Sequence, residues 1–319
     1  MSKETERLFR EMQQFFNEHN FENLEEAQQA AMDYLNSNKN KINEPDAYDF
    51  LEKAQEADSN SKAIQFAQKA LELDPTFTDA KLLILLRQTK DAAALQGGIE
   101  VLLKEEEAFL REMDITEKKD AGEYYLIFET RPYLRLCAAY IDVLISQGKM
   151  RKAVEICKKV CYLNESDNMG VRYTLMALYA YLEERFLAEE LYQKYPEENS
   201  FTLLPMIAMY YKLDDTDKAV QCLKRLYSCN KHVKKAVQLL KKKNDYEIME
   251  IMSIPYYSPY SLEEVVIAFT DNIFLYEPLD NFLKWCAEHL PKKTTAASNE
   301  KKKVGKNKTS AKKLTSNIN

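Results

Sequence analysis

The chain of 319 residues contains 3 histidines and 6 cysteines, and a neutral-pH nucleophile, general base or soft-metal site would draw on them. Cys222, Cys229 and His232 fall close together, but zinc wants a fourth ligand and usually a Cys-x-x-Cys knuckle, and the sequence supplies neither. Cys222 with Cys229, and Cys157 with Cys161, are spaced as small apolar side chains along one helix stripe. A hydroxyl or thiol nucleophile needs a histidine beside it. His19 closes the first helical pattern, His232 lies in a basic turn, and His289 ends the last pattern, where a cation complements the helix dipole. Carboxylates are plentiful but sit on solvated faces, as in Lys104-Glu-Glu-Glu107, and no glycine-rich loop is present to cradle a phosphate. These residues predict no catalytic group, metal, cofactor or small-molecule substrate.

The chemistry that remains is recognition. Glu129-Thr-Arg-Pro-Tyr-Leu-Arg135 and Asn168-Met-Gly-Val-Arg-Tyr173 set arginine beside tyrosine, a planar donor fork for carboxylates next to a rigid amphipathic ring. Each segment opens the first helix of a helix pair, the layer that lines the concave face of helical arrays. Counted from those starts, Arg131, Arg135, Asp142, Met169, Arg172, Met176, Tyr179, Phe201, Leu204 and Tyr211 are candidate groove residues for a protein or peptide partner. The competing reading is structural, with Arg131 and Arg172 paired to acids nearby.

Those residues need helices to hold them, and the hydrophobic pattern supplies helices almost everywhere before Pro291. Leu8, Met12, Phe15 and Phe16 form one stripe, and Leu24, Ala27, Ala31, Tyr34 and Leu35 a second. From Asp46 the chain repeats. Lys62-Ala-Ile-Gln-Phe-Ala-Gln-Lys-Ala-Leu-Glu-Leu-Asp-Pro75 has the frame of the second helix of a tetratricopeptide unit, with Ala63, Ala67 and Ala70 at the close helix contact. The frame returns at Ala153-Cys157-Val160, at Ala188-Tyr192-Tyr195 and at Ala219-Leu223-Leu226. Alanines 153, 188 and 219 are spaced by 35 and 31 residues, around the 34-residue period. An irregular helical bundle is the alternative.

The pattern predicts an all-α, tetratricopeptide-like right-handed solenoid. Capping helices are expected over 1–45, repeats over 46–243, capping helices over 244–290, and a disordered lysine-rich tail over 291–319. Between Ala80 and Tyr124 the frame loosens, and a long helix is expected after Gly97-Gly98. Pro205 predicts a late start or a kink in the helix around Phe201. Ser261-Leu-Glu-Glu264 reads as a capping box, opening a helix that carries Val265, Phe269, Ile273 and Tyr276. Pro278 is expected to start the last helix.

Composition agrees. Only 6 glycines argue against folds rich in tight turns, and a 45% hydrophobic content is enough for a core. From Pro291 onward there are nine lysines and one acid, a net +8, whereas residues 1–290 carry a net −14. The acidic body disfavours wholesale nucleic-acid binding, which is left to the tail as the alternative function. No apolar run reaches the roughly 18–20 residues of a membrane span, so no membrane association is expected. Unpatterned cysteines predict reduced thiols and a cytoplasmic location.

Glu129-Thr-Arg-Pro-Tyr133, the Leu163-Asn164 to Asp167-Asn168 turn, Gly170-Val-Arg-Tyr173 and Asn230-Lys-His-Val233 carry a further signal. Over roughly residues 46–290 the chain resembles a bacterial family of tetratricopeptide proteins related to the repeat region of the suppressor-of-tumorigenicity tetratricopeptide proteins. The resemblance implies a helical solenoid with an interaction role and no assigned activity. Some relatives carry a cysteine/histidine zinc motif that this chain lacks. Lys231 also stands where the family pattern has proline.

Overall fold

The computed structural model describes residues 23–38, 45–242 and 245–291, with isolated positions between 8 and 21. The tail expected over 291–319 lies outside them except for Pro291, as does most of the first helical pattern. Every regular element among the described residues is a helix, and the only strand-like pairing is one bridge between Glu123 and Asn164. The chain divides into two compact units, residues 1–191 and 192–319, a division that falls within the stretch read as repeats.

The first unit holds α1 (Leu24–Asn38), α2 (Ala47–Glu56), α3 (Asn60–Leu73), α4 (Thr78–Gln88) and α5 (Ala92–Glu112). It continues with α6 (Glu117–Asp120), two 3₁₀ turns (Tyr124–Leu126 and Phe128–Thr130), α7 (Arg131–Ser146), α8 (Met150–Leu163), α9 (Val171–Tyr181) and α10 (Arg185–Lys194), which runs past its end. The second unit holds α11 (Ser200–Lys212), α12 (Thr216–Cys229), α13 (Val233–Lys242), α14 (Asp245–Met252), α15 (Leu262–Thr270), α16 (Ile273–Tyr276) and α17 (Phe282–His289).

Neighbours in sequence are neighbours in space: α2 packs on α3, α3 on α4, α7 on α8, α8 on α9, and α11 on α12. The small residues of the repeat frame make this possible. Ala63, Ala67 and Ala70 on α3 and Ala153, Cys157 and Val160 on α8 are at most 1% exposed. Ala188 on α10, and Ala219, Leu223 and Leu226 on α12, are buried too. Helix starts are fixed by short polar side chains. Asp46 and Asp49 form a reciprocal capping box on α2, and the Asp91 carboxylate accepts the Ala94 amide on α5.

Local expectations are corrected at five places. The long helix α5 begins at Ala92 and runs through Gly97-Gly98 instead of following them. Gly98 lets α4 and α5 approach closely: a Cβ there would lie 2.6 Å from a Leu85 methyl of α4, which would have to shift. Leu24, the first residue of α1, is exposed rather than inward. Helix α11 starts at Ser200, where Asn199 caps it, so the late start does not occur; Pro205 lies inside the helix and removes one backbone bond there. The helix expected from Ser261 to Tyr276 stops at Thr270, where the buried Asn272 side chain donates to the Ala268 carbonyl and diverts it from helix pairing. The last helix begins at Phe282, four residues after Pro278.

The Ser261–Glu264 box is only half formed. Ser261 Oγ accepts the Glu264 amide, but the buried Glu264 carboxylate reaches elsewhere. One oxygen accepts the Ser200 amide (3.0 Å) and hydroxyl (2.6 Å), and the other the Tyr260 amide (2.6 Å). The buried Asn230 side chain donates to the Ser261 carbonyl. One acid thus ties the start of α15 to the start of α11.

Because Ala153 is fully enclosed at a helix contact, Ala153→Leu should lower the unfolding free energy by roughly 1–3 kcal/mol through overpacking. Lys158→Ala, on the exposed side of the same helix, should stay within about 0.5 kcal/mol. Urea unfolding of the two variants checks the difference.

Candidate functional site

Within residues 1–191, side chains from α2, α4 and α7 enclose an open cleft of about 400 Å³. Gln55 comes from α2, Asp79, Leu82, Leu83, Leu86 and Arg87 from α4, and Arg135 from α7. Asp79 stands in the first turn of α4, where a negative charge suits the helix dipole. Its two carboxylate oxygens accept Arg135 Nε (2.7 Å) and Nη2 (2.6 Å), a forked pair that joins α4 to α7. Leu82 and Leu83 are buried beneath, while Leu86 is 45% exposed. Arg87, at the rim, donates to Asn60 of α3 at 3.2 Å. The cleft offers an apolar wall, a bidentate ion pair and an exposed guanidinium, which is equipment for holding a side chain or helix face.

Of the predicted groove residues, Arg135 is the one in this cleft. Asp142 is exposed on the same helix, farther along α7. Arg131, Met176 and Tyr179 are each under 5% exposed, so the expectation that they line an open surface is corrected. The reason for Arg131 is local: it is the first residue of α7, with Pro132 next, and its side chain folds back over the preceding 3₁₀ turns. Its Nε donates to the Tyr125 carbonyl (3.0 Å), and its guanidinium lies over the Tyr125 and Phe128 rings at 4.8 and 4.0 Å.

Arg172 is likewise mostly enclosed, with 15% of its side chain exposed. It organises the turn between α8 and α9. The buried Asp167, in a left-handed conformation at φ 45°, accepts the amides of Val171 (2.8 Å) and Arg172 (3.0 Å). Arg172 Nη1 returns to the same carboxylate at 2.9 Å, and Nη2 donates to Tyr173 Oη at 2.8 Å. In residues 192–319, Phe201 is half-buried and stacks on Tyr257 at 6.1 Å. Tyr211 is half-buried against Phe282 and Trp285, each 5.4 Å away. Leu204 is buried and Met169 half-buried.

Sequence reasoning missed Asp79, Leu86 and Arg87, because Leu82 to Leu86 is apolar all round and its exposed edge leaves no periodic trace. It also missed a polar ladder between α5, α7 and α8. Glu100 accepts from Gln96 (2.7 Å), Lys152 (3.1 Å) and Tyr140. Seven residues on along α5 and α8, and seven back along α7, Glu107 accepts from Tyr133 (3.0 Å) and Lys159 (3.3 Å). Each lysine also caps its tyrosine ring, Lys152 over Tyr140 at 5.2 Å and Lys159 over Tyr133 at 5.4 Å. Hydrogen bonds from Tyr140, Gln96 and Lys152 hold the Glu100 carboxyl down to about 2. Desolvation pulls Lys159 down, yet Glu117 and Glu107 raise it above the ordinary lysine value.

All six cysteines are free thiols. Burial pushes Cys137 up to about 12, and raises Cys157, Cys222, Cys229 and Cys286 as well, so the thiolate a nucleophile or metal needs is disfavoured there. Among the described residues no three histidine, cysteine or acidic side chains converge on a metal-sized site. No described helix is long and apolar enough to cross a membrane.

No family model matches the chain, and no curated protein is significantly similar to it.

Two outcomes follow from the geometry. Arg172→Ala strands the enclosed Asp167 carboxylate and should destabilise the protein by about 3 kcal/mol, measured by urea unfolding; a change as small as that of an exposed residue would place Arg172 outside the core. Glu100 has a folded pKa below its unfolded value, so its stabilisation is complete above about pH 4.5 and fades as pH falls towards 2. The urea midpoints of wild type and Glu100→Gln should therefore differ at pH 7, and the gap should narrow steadily as pH falls from about 4.5 towards 2.

Proposed function

We propose that the chain is a non-catalytic interaction scaffold of the tetratricopeptide-like solenoid type, working in the cytoplasm and receiving a peptide or helix from a protein partner. The observation that carries this reading is the cleft in residues 1–191. It is built from α2, α4 and α7, the first members of successive helix pairs, which is the layer such arrays present to ligands. Support also comes from what surrounds it: helices packed pairwise through buried alanines, and thiols raised out of their reactive range. Leu86 supplies apolar contact, Asp79 holds Arg135 in place within the wall, and the exposed guanidinium of Arg87 supplies donors for a carboxylate on the partner. The resemblance to the bacterial tetratricopeptide family points the same way.

Affinity capture from the native cell, followed by mass spectrometry, tests the reading with three forms of the chain. Wild type should retain its partners, and so should the chain shortened by residues 292–319. Leu86→Asp combined with Arg87→Glu should reduce partner recovery at least tenfold without moving the unfolding midpoint. If removal of residues 292–319 abolishes capture and the association falls steeply with salt, the lysine-rich tail and a nucleic acid take the place of the cleft.

A further inference from the structure

A second concavity of about 360 Å³ lies in residues 1–191, and it shares no lining residue with the cleft of α2, α4 and α7. That volume falls within the roughly 300–1,000 Å³ of ligand sites. The turn before α4, the start of α4, the carboxyl-terminal half of α5 and the junction into α7 enclose it. Phe77, Thr78 and Glu106 are its enclosed lining, each at most 7% exposed. Phe77 packs on the Tyr48 ring at 4.8 Å, and the Thr78 hydroxyl donates to the Glu106 carboxylate, so this wall is fixed. The Phe109 ring, by contrast, is 44% exposed.

The lining also selects the charge of an occupant. Lys81 is its one cation, and that ammonium is spent on Glu105 at 3.0 Å. Asp74 accepts the Thr76 amide (2.9 Å) and hydroxyl (2.6 Å), neutral donors that leave its charge in place. Glu129 is half-buried, and its side chain has no partner among the described residues. It is nonetheless positioned: it sits in the 3₁₀ turn Phe128–Thr130, where the Thr130 hydroxyl donates to the Ile127 carbonyl at 2.8 Å. An anion placed here would meet carboxylates on several sides, where solvent screens them less than on an open surface. A cation would answer Glu129 and could lie on the Phe109 ring. A guanidinium does both at once, because it is planar, stacks on rings and donates through a fork. Arg172 already combines those contacts elsewhere in the chain, with Asp167 at 2.9 Å and the Tyr173 ring at 4.4 Å.

We propose that this concavity is a binding site for an alkylguanidinium group, with Glu129 receiving its forked donors and Phe109 its flat face. An arginine side chain of a protein partner and a free alkylguanidine present the same group. The probes are Nα-acetylated methylamides of arginine, lysine and citrulline, the last a neutral isostere of arginine, together with n-butylguanidinium. NMR titration of the full chain should show blocked arginine binding at least tenfold more tightly than blocked citrulline, with blocked lysine between them. Phe109→Ala and Glu129→Gln should each weaken blocked arginine at least fivefold at unchanged melting temperature, while Arg87→Ala in the cleft leaves it intact. Tighter binding of blocked arginine than of n-butylguanidinium assigns the site to a protein partner, and the reverse order assigns it to a free alkylguanidine. Citrulline or lysine binding as tightly as arginine, or an arginine affinity that neither Phe109→Ala nor Glu129→Gln moves, overturns the proposal. So does an affinity lost with Arg87→Ala, which would place the binding in the cleft.

Discussion

Two helices can lie against each other along their length only where the side chains between them are small. The chain meets that constraint with Ala63, Ala67 and Ala70 on α3, Ala153 and Cys157 on α8, Ala188 on α10 and Ala219 on α12. Gly98 belongs to the same set, since a methyl group there would displace the Leu85 side chain. With the contact surfaces this close, apolar burial runs along the interfaces between neighbouring helices. Leu82, Leu83 and Leu86 of α4 supply the apolar wall of the cleft that α4 shares with α2 and α7.

Polar side chains fix what the small residues leave undetermined. Close packing permits helices to slide, and the Glu100 and Glu107 rungs set the register of α5, α7 and α8 at two heights. Asp79 and Arg135 do the same between α4 and α7, in a place that solvent and a partner can still reach. Arg131 and Arg172 show the other use of the same side chain. Both turn back over their own preceding segments, one over a carbonyl and two rings, the other into a buried carboxylate. A guanidinium is planar enough to satisfy a loop by stacking and donation together.

The helical class, the pairing of neighbours and the small residues at the crossings were legible because period and side-chain size are local properties. Asp46 and the alanine frame were enough to place α2, α3, α8, α10 and α12. The stop of α15 at Thr270 was not legible, since it depends on Asn272 donating to the carbonyl of Ala268. Nor was the site. Arginine beside tyrosine suggested recognition at Arg131 and Arg172, but whether an arginine points outward depends on a turn such as that of Asp167, whose φ of 45° no spacing rule discloses. The cleft was hidden by the uniform leucines of α4.

The Glu264 carboxylate joins residues 64 positions apart, and that separation bears on the order in which the chain can mature. As the polypeptide emerges, α11 and α12 are complete long before Glu264 is made. Until then the Ser200 amide and hydroxyl must be satisfied by water, and the start of α11 stays open to solvent. The contacts around Ala219 can form early because they are local, whereas closure at Ser200 has to wait for α15. Residues 192–291 therefore gain their final hydrogen bonds from the carboxyl-terminal side, and a nascent chain stopped before Glu264 would expose the very helix start that the finished protein buries.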